Sequence, residues 1–351
     1  MSFQILPKAR VAEWIDELRG RHRVVAPTRV DGSYVFAETR PGQSIPLDYP
    51  TSLLPPKRVV LPPREELLRF QDGKIEAQLA EASIVLLGAH TCDLHAMALL
   101  DRVYGEGVPD QHYHARRSGT TVVSIECLRP CTEYAFCKSM GTLTLPETFD
   151  LHLTDLGEDY AVDVGSEKGA ALLEGFAGTR PAVSRDYDRL DHAMSDKWSR
   201  FPYRLDFDVS ELPSLLASSY RSELWEKLGE RCLSCSSCTM VCPTCTCFDV
   251  QDEVEFNLRD GVRCRLWDSC QIGMFAAVAG GHNFRAQRSS RVRHRFLRKG
   301  KYQREAYGLT GCVGCGRCAS ACLVHITPVD TFNTLYRQRL EAQAGPEEVA
   351  A

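Results

Sequence analysis

Short runs of apolar and β-branched residues, separated by amphipathic stretches, make up the first 205 residues of the chain. Such runs, bounded by Gly, Asp or Pro, are typical of strands, and the stretches between them have helical spacing. The pattern predicts an α/β domain over residues 1–205, with helices at Asp93–Val103 and Ser166–Glu174. The predicted strands are His22–Ala26, Ser33–Glu38, Ile84–Ala89, Thr120–Ile125, Leu151–Thr154 and Tyr160–Val164.

The pattern changes after residue 205, where strand-like runs fade and helical segments alternate with groups of cysteines. Helices are predicted at Ser210–Glu230, Asp252–Arg259 and Pro328–Gln343. We therefore expect an α+β fold in which the α/β domain is followed by an all-α domain over residues 206–345. Residues 346–351 are expected to form a flexible tail.

Cysteine is the residue type that most restricts the possible functions of the protein, since the 351-residue chain contains 16 cysteines. The chain starts without the apolar core of a secretory signal, and no apolar run is long enough to cross a bilayer. These features predict a cytoplasmic protein without a membrane span. Thiols stay reduced in that compartment, so clustered cysteines there bind metal more often than they form disulfides.

Two cysteine runs share the spacing C-x2-C-x2-C-x3-C, which is typical of bacterial [4Fe-4S] ferredoxins. In two-cluster ferredoxins the fourth cysteine of each run binds the other cluster, so the expected ligand sets are crossed. Structural zinc is the alternative, although zinc sites usually need only two separated pairs. The all-α domain is thus predicted to be a dicluster ferredoxin domain. Cluster 1 is assigned to Cys232, Cys235, Cys238 and Cys322, and cluster 2 to Cys312, Cys315, Cys318 and Cys242.

Four further cysteines, Cys92, Cys127, Cys131 and Cys137, lie in the α/β domain. Cys92 and Cys127 each follow a predicted strand, and strand ends of an α/β sheet commonly converge on a site. The hypothesis is a third [4Fe-4S] cluster held by these four thiolates. The alternative is that they are scattered, buried cysteines without a ligand role.

The last four cysteines, Cys245, Cys247, Cys264 and Cys270, lie between the two runs. Cysteine packs well in protein cores without binding anything, which is the favoured interpretation here. A metal site or a position on a partner surface is the alternative.

A basic segment covers residues 285–304 and contains nine Lys or Arg residues. Its members Arg288, Arg291, Arg295 and Arg298 fit one face of a helix. A solvated helix face is the default prediction, and docking to an acidic partner is the alternative. Nucleic acid is not an expected partner, because the net charge is −4 and aromatic interleaving is missing.

Nucleotide-binding fingerprints are missing from the sequence. It has neither a P-loop pattern nor a G-x-G-x-x-G segment between a strand and a helix. We therefore expect any nicotinamide or flavin nucleotide to be bound by another chain, and no catalytic residue is assigned to this one.

The sequence resembles the iron–sulfur beta subunit of cytosolic sulfhydrogenases, which are NAD(P)-linked nickel–iron hydrogenases, and is also similar to one of the subunits of anaerobic sulfite reductase. The likeness covers nearly the whole chain. The segments that carry it most specifically are CPTCTCFD (242–249), WDSC (267–270) and GHNFR (281–285), beside GAHTCDLHAMALLDRVYG (88–105), RCLSCSSCTMVC (231–242) and GCVGCGRCASAC (311–322).

The resemblance implies a non-catalytic subunit that relays single electrons. FAD and NAD(P) are then expected on a diaphorase partner, and the relay is expected to continue to the hydrogenase small and large subunits. The resemblance also favours the third cluster at Cys92, Cys127, Cys131 and Cys137. Two alternatives stay open: an equivalent relay subunit of a sulfite or sulfur reductase, and a structural iron–sulfur scaffold.

Overall fold

Strand-forming runs of the N-terminal half assemble into one mixed sheet. The computed structural model describes residues 3–80, 83–146 and 149–344, and within these ranges the sheet has eight strands. Four neighbouring strands, β2, β6, β7 and β8, run parallel at its centre, with antiparallel strands outside them. Parallel strands are usually covered on both faces, which explains why β6 is buried along its whole length. The strands are β1 (Gln4–Pro7), β2 (Arg23–Val30), β3 (Ser33–Glu38), β6 (Ile84–His90), β7 (Thr120–Ile125), β8 (Leu151–Asp155), β9 (Asp159–Val164) and β10 (Arg180–Pro181).

Helices cover this sheet and connect its strands. Helix α4 begins directly after Ser166, whose side chain caps it by accepting a hydrogen bond from the Gly169 N–H. Each predicted strand of the N-terminal half is present, and both predicted helices there are confirmed with shifted ends. The helices are α1 (Lys8–Arg21), α2 (Thr91–Gly105), α3 (Gln111–Ser118), α4 (Glu167–Ala171) and α5 (Ser184–Lys197).

A second, four-stranded sheet joins the two halves of the chain. It has the order β11-β12-β4-β5, where β4 (Arg64–Gln71) and β5 (Lys74–Ala77) come from the N-terminal half. Strands β11 (Phe248–Val254) and β12 (Gly261–Trp267) form a hairpin, and β12 pairs antiparallel with β4.

The hairpin contradicts one predicted helix and leaves the all-α domain unconfirmed. The helix predicted at Asp252–Arg259 is wrong, because this segment ends β11 and turns through Leu258, whose φ of 57° interrupts a helix. Pairing with β12 satisfies the backbone of this charged segment as far as Val254 and outweighs its helical propensity. The boundary between residues 205 and 206 stays a prediction, since a strand on each side of it belongs to the same sheet.

Helices dominate the rest of the C-terminal half and surround a core that includes Leu212, Leu216, Trp225, Phe296 and Phe332. The predicted helix Ser210–Glu230 is split into two, whereas Pro328–Gln343 is confirmed. Among the described residues, no helix combines the length and apolarity needed to cross a membrane. The helices are α6 (Leu212–Ser218), α7 (Leu224–Arg231), α8 (Ser237–Met240), α9 (Arg288–Leu297), a π-helical segment (Arg298–Tyr302), α10 (Gln303–Tyr307), α11 (Arg317–Ser320) and α12 (Pro328–Ala344).

Candidate metal centres

Both cysteine runs fold in the same way, as their common spacing predicts. Each run turns through two left-handed residues, Ser234 and Ser236 in the first and Gly314 and Gly316 in the second. A short helix follows each turn, α8 in the first run and α11 in the second. The turns wind the first three cysteines of a run around one space and send the fourth away from it.

The first cavity is lined by cysteines of both runs. Cys232, Cys235 and Cys238 come from the first run, and Cys322 comes from the second. The apolar side of the cavity is lined by Val292 and Phe296 of helix α9 and by Ile326. The four cysteines predicted for cluster 1 therefore share one space.

The second cavity has the reciprocal composition. It is lined by Cys312, Cys315 and Cys318 of the second run and by Cys242 of the first. These are the four cysteines predicted for cluster 2. Among the described residues, no group of three or more His, Cys, Asp or Glu side chains could hold a single metal ion. Sets of four thiols around a shared space match the donor set that [4Fe-4S] clusters need.

Arg295 lies between the two cavities and lines both. Although burial disfavours its charge, the neighbouring Cys238 and Cys318 sulfurs hold the pKa of Arg295 well above its usual range. The prediction of a solvated helix face is wrong for this residue and for Arg291, since both are more than nine-tenths buried. The sulfur atoms supply the negative charge that a buried guanidinium needs, and sequence spacing does not reveal which side of a helix faces them.

Other buried cations hold the backbone around the cysteine runs. Arg291 donates from Nε to the Gln271 carbonyl at 3.0 Å and from Nη2 to Ser234 Oγ at 3.0 Å. Lys299 donates to Thr244 Oγ1 at 2.7 Å, and that hydroxyl donates to the Gly311 carbonyl at 2.6 Å. These contacts tie the turn of each run to the rest of the fold.

The four N-terminal cysteines lie beside the second cavity. Cys92 is in the first turn of α2, Cys127 follows β7, and the other two lie on the loop after it. Burial raises the pKa of the Cys131 thiol, as do its neighbours Cys127, Cys137 and Cys315. Cys92 likewise has Cys315 and Cys127 as neighbours. The structure therefore gathers these cysteines close to a cysteine of the second cavity.

The loop that carries Cys131 and Cys137 packs directly against the second run. The Phe136 N–H donates to the Gly314 carbonyl at 2.8 Å, and Thr142 Oγ1 donates to the Val313 carbonyl at 2.6 Å. The N-terminal cysteine loop and the ferredoxin turn are thus one packed unit.

A buried ion pair crosses the same boundary. Arg317, inside the second run, donates to both carboxylate oxygens of Asp93, at 2.8 and 3.1 Å. Only 1% of each side chain is exposed. Sequence reasoning singled out neither residue. The available signal was their position, Asp93 next to Cys92 and Arg317 between Cys315 and Cys318.

A larger cavity of about 410 Å³ opens at the carboxyl edge of the parallel strands and is lined partly by Cys127 and Cys131. His90 also lines it, and burial lowers the pKa of this imidazole to about 4. Burial would raise the pKa of Glu126, but the neighbouring His152 imidazole, 3.5 Å away, and a hydrogen bond from Lys197 at 2.8 Å lower it.

The remaining four cysteines are divided between two environments. Cys264 is completely buried on β12. Cys245 is buried and has Cys242 as a neighbour, and Cys247 has the buried Cys270 as a neighbour. The expectation of burial is met for Cys245, Cys264 and Cys270, whereas Cys247 is partly exposed.

Comparison with known proteins agrees with these features. Residues 231–326 match the 4Fe-4S dicluster domain family. The chain is 35% identical over 321 residues to sulfhydrogenase 2 subunit beta of Pyrococcus furiosus, covering 92% of this chain and 94% of that protein. The chain belongs to the sulfhydrogenase beta-subunit family. No solved structure matches it.

Membership of the sulfhydrogenase beta-subunit family confirms the resemblance read from the cysteine runs and from WDSC and GHNFR. The matched dicluster segment begins one residue before Cys232 and ends four residues after Cys322. It therefore contains both four-cysteine cavities and the β11–β12 hairpin. The chain is accordingly an iron–sulfur protein of the kind that serves within an oxidoreductase complex.

Proposed function

We propose that this chain relays single electrons inside a cytoplasmic, NAD(P)-linked nickel–iron hydrogenase complex. It connects a flavin-containing diaphorase subunit with the hydrogenase small subunit, which passes electrons to or from the large subunit. The observation that carries the proposal is the pair of four-cysteine cavities separated only by buried protein, with Arg295 lining both. A relay needs redox centres close together, and support comes from Arg295 and Phe296, buried residues that line both cavities.

In this proposal the cysteines of each cavity are the cluster ligands. When bound, a [4Fe-4S] cluster takes up and releases one electron at a potential set by charge, hydrogen bonds and burial. The protein's residues fix the thiolates and supply positive charge through Arg295 and Lys299. Because each cavity takes cysteines from both runs, iron binding and folding of the ferredoxin domain at 206–345 are coupled. Cys232, Cys235, Cys238 and Cys322 hold cluster 1, and Cys312, Cys315, Cys318 and Cys242 hold cluster 2.

A third cluster extends the relay into the α/β domain at 1–205. Its ligands are Cys92, Cys127, Cys131 and Cys137, and support comes from Cys315, which is a neighbour of Cys92, Cys131 and Cys137. Electrons would then pass between this centre and cluster 2. Arg317 lies next to both sets of sulfurs, since Asp93 first, and then Cys315 and Cys92, raise its pKa despite its burial.

FAD and NAD(P) are assigned to the diaphorase partner, because this chain has no fingerprint for either nucleotide. Anaerobic co-purification from the native organism, with metal and flavin analysis, tests the assembly. Nickel and flavin in the complex support the proposal. Sirohaem without nickel would assign the chain to a sulfite reductase, and clusters that dithionite cannot reduce would make it a scaffold.

Iron analysis of the chain itself tests the ligand sets. Three clusters predict about twelve irons per chain, and two predict about eight. Cys235→Ala and Cys127→Ala should each lose about four irons, because each removes a ligand from a different cluster. Cys264→Ala is the matched control, since this buried cysteine lies outside the sets and should retain full iron. Unchanged iron in either ligand variant contradicts its assignment.

A further inference from the structure

Part of the lining of the first cavity lies at the protein surface, whereas the lining of the second cavity does not. Cys235 is exposed, and two leucines that line the same cavity, Leu233 and Leu323, are 55% and 75% exposed. Among the described residues that line the second cavity, none is exposed. Of the two ferredoxin-type centres, cluster 1 is therefore the one that another protein can approach.

Leu323 directly follows the fourth cysteine of the second run. The same position in the first run is occupied by Pro243, which is buried and lines the second cavity. The two runs thus have the same cysteine spacing but differ at this position, and the difference places an apolar side chain on the surface beside cluster 1.

Two arginines hold positive charge at the edge of the first cavity. Arg231 donates from Nη2 to the Val324 carbonyl at 2.7 Å, and Arg288 donates from Nη1 to the Cys232 carbonyl at 3.0 Å. Both residues are exposed, and within the described part of the chain neither forms an ion pair with a carboxylate. The chain as a whole has a net charge of −4, so this edge is a local patch of uncompensated positive charge.

We propose that the surface around Cys235 is a docking site for a soluble, acidic one-electron carrier of the ferredoxin class. The surface consists of Leu233, Cys235, Leu323, Arg231 and Arg288. This inference rests on the proposed function, to which it adds an outlet for electrons besides the subunits of the complex. One electron passes between cluster 1 and the iron–sulfur centre of the carrier, so one centre is oxidised as the other is reduced, and no bond forms or breaks.

The size and charge of this surface favour a transient carrier over a permanent subunit. Permanent complexes bury large, apolar interfaces, whereas electron-transfer encounters are among the smallest interfaces known. Two leucine side chains provide little apolar area, and charges at the edge of an interface mainly speed association. Because these charges are positive, they attract a carrier whose centre is surrounded by carboxylates and repel a basic one.

Stopped-flow mixing of the full-length, iron-loaded protein with an acidic plant-type ferredoxin tests the charge of the surface. Electron exchange is followed anaerobically, in the direction that the two potentials allow. Between about 0.01 M and about 1 M salt the screening length falls from about 30 to about 3 Å, so the rate constant should fall steeply. Exchange with cytochrome c, a basic one-electron carrier, should instead become faster with salt.

Opposite charges at one exposed position test its location. Leu323→Glu should slow exchange with the ferredoxin about tenfold, and Leu323→Lys should speed it about threefold, with wild-type iron content in both. A purely structural effect would change both rates in the same direction. Salt dependence that does not differ between the two carriers, or rates that do not separate the two variants, overturns the docking surface. Clusters that dithionite cannot reduce would instead refute the relay.

Cross-linking supplies a readout that does not depend on electron transfer. With a zero-length carbodiimide reagent, the amine introduced by Leu323→Lys should become linked to a carboxylate of the ferredoxin, and mass spectrometry should identify the joined peptides. Arg40→Lys is the control, because it places an amine at an exposed position after β3, outside the proposed surface. Equal linkage at both positions, or none in Leu323→Lys, overturns the proposal.

Discussion

Arg295 illustrates how single residues in this protein depend on their surroundings. The residue belongs to a strongly basic segment, yet its guanidinium is buried between two groups of thiols that include Cys238 and Cys318. A buried charge without a counter-charge costs several kcal/mol, so its position indicates negative charge on both sides. Thiolate-bound clusters would provide that charge, and Arg295 would stabilise their reduced states.

Replacing Arg295 should therefore change the electrochemistry of both clusters. Arg295→Gln is expected to lower both reduction potentials by on the order of 100 mV, the scale of interaction between nearby charges at an effective dielectric constant of about 20. Titrations followed by electron paramagnetic resonance measure this shift. Arg295→Lys should recover part of it. Arg293→Gln is the control. Arg293 is in the same helix as Arg295, but it stacks on Tyr220, 4.2 Å from the ring centroid. Unchanged reduction potentials in Arg295→Gln would contradict the role of Arg295 in stabilising the reduced clusters.

His90 gives the protein a predictable sensitivity to acid. Its folded pKa of about 4 lies below the unfolded value, so the unfolded state binds the proton first as pH falls through 6.5. Stability from this residue is full above that range and falls towards pH 4. From pH 7 to pH 5 the loss should be about 2 kcal/mol in the wild type. In anaerobic urea denaturation, the free energy of unfolding of His90→Gln should fall less between pH 7 and pH 5 than that of the wild type. An equal fall in both proteins would contradict the assignment to His90.

At the scale of elements, the ferredoxin turns depend on backbone conformations that most side chains avoid. Gly314 has φ +66°, and a Cβ there would lie 2.6 Å from the Cys137 Cα atom. The corresponding residue in the first run is Ser234, with φ 53°, so the turn itself tolerates a side chain. Glycine is required in the second run because the N-terminal cysteine loop packs against it.

Gly314→Ala should consequently disrupt the contact between the loop and the turn. The conformational strain amounts to about 1–3 kcal/mol, and the backbone clash adds to it. We expect a lower thermal midpoint together with loss of iron from cluster 2 and from the third site. Gly273→Ala serves as the control, since a Cβ at that position meets nothing within 4 Å. Wild-type iron content in Gly314→Ala would contradict this packing argument.

The whole molecule is held together by contacts that cross the predicted domain boundary. Strand β12 pairs with β4, and the ion pair between Arg317 and Asp93 is buried where the second run meets α2. Hydrophobic contacts also cross this boundary, because Phe136 and Met140 of the N-terminal loop belong to the core of the C-terminal helices. We expect the two halves to unfold together rather than as independent units.

Asp93→Asn tests that coupling. The change keeps the shape of the side chain but leaves Arg317 buried without its counter-charge, at an expected cost of about 3–5 kcal/mol. Chemical denaturation should show one lowered transition for both halves, and Asp93→Asn combined with Arg317→Gln should recover part of the loss. Glu38→Gln, which breaks an exposed ion pair with Arg23, should cost less than about 1 kcal/mol. Two separate transitions would contradict the coupling.

Local patterns in the sequence were sufficient for the central sheet and for the two cysteine runs. Buried parallel strands such as β6 are continuous apolar runs, and cysteine spacing fixes which thiols can surround one space. The hairpin of β11 and β12 was missed, because all residues of β11 are exposed and their pattern carries no buried face. The strand conformation of β11 comes from pairing with β12, which in turn pairs with β4, almost 200 positions away in sequence.

By itself, the sequence determined the chemistry of this protein: thiol ligands at cluster spacing, strands at the centre of the sheet and membership of an iron–sulfur family. Tertiary structure decided where charge lies relative to sulfur. It turned Arg295 inward and placed Cys92 near Cys315. The physical reason is range, since ligand spacing and strand propensity are local properties, whereas burial and charge compensation depend on residues that meet only after folding.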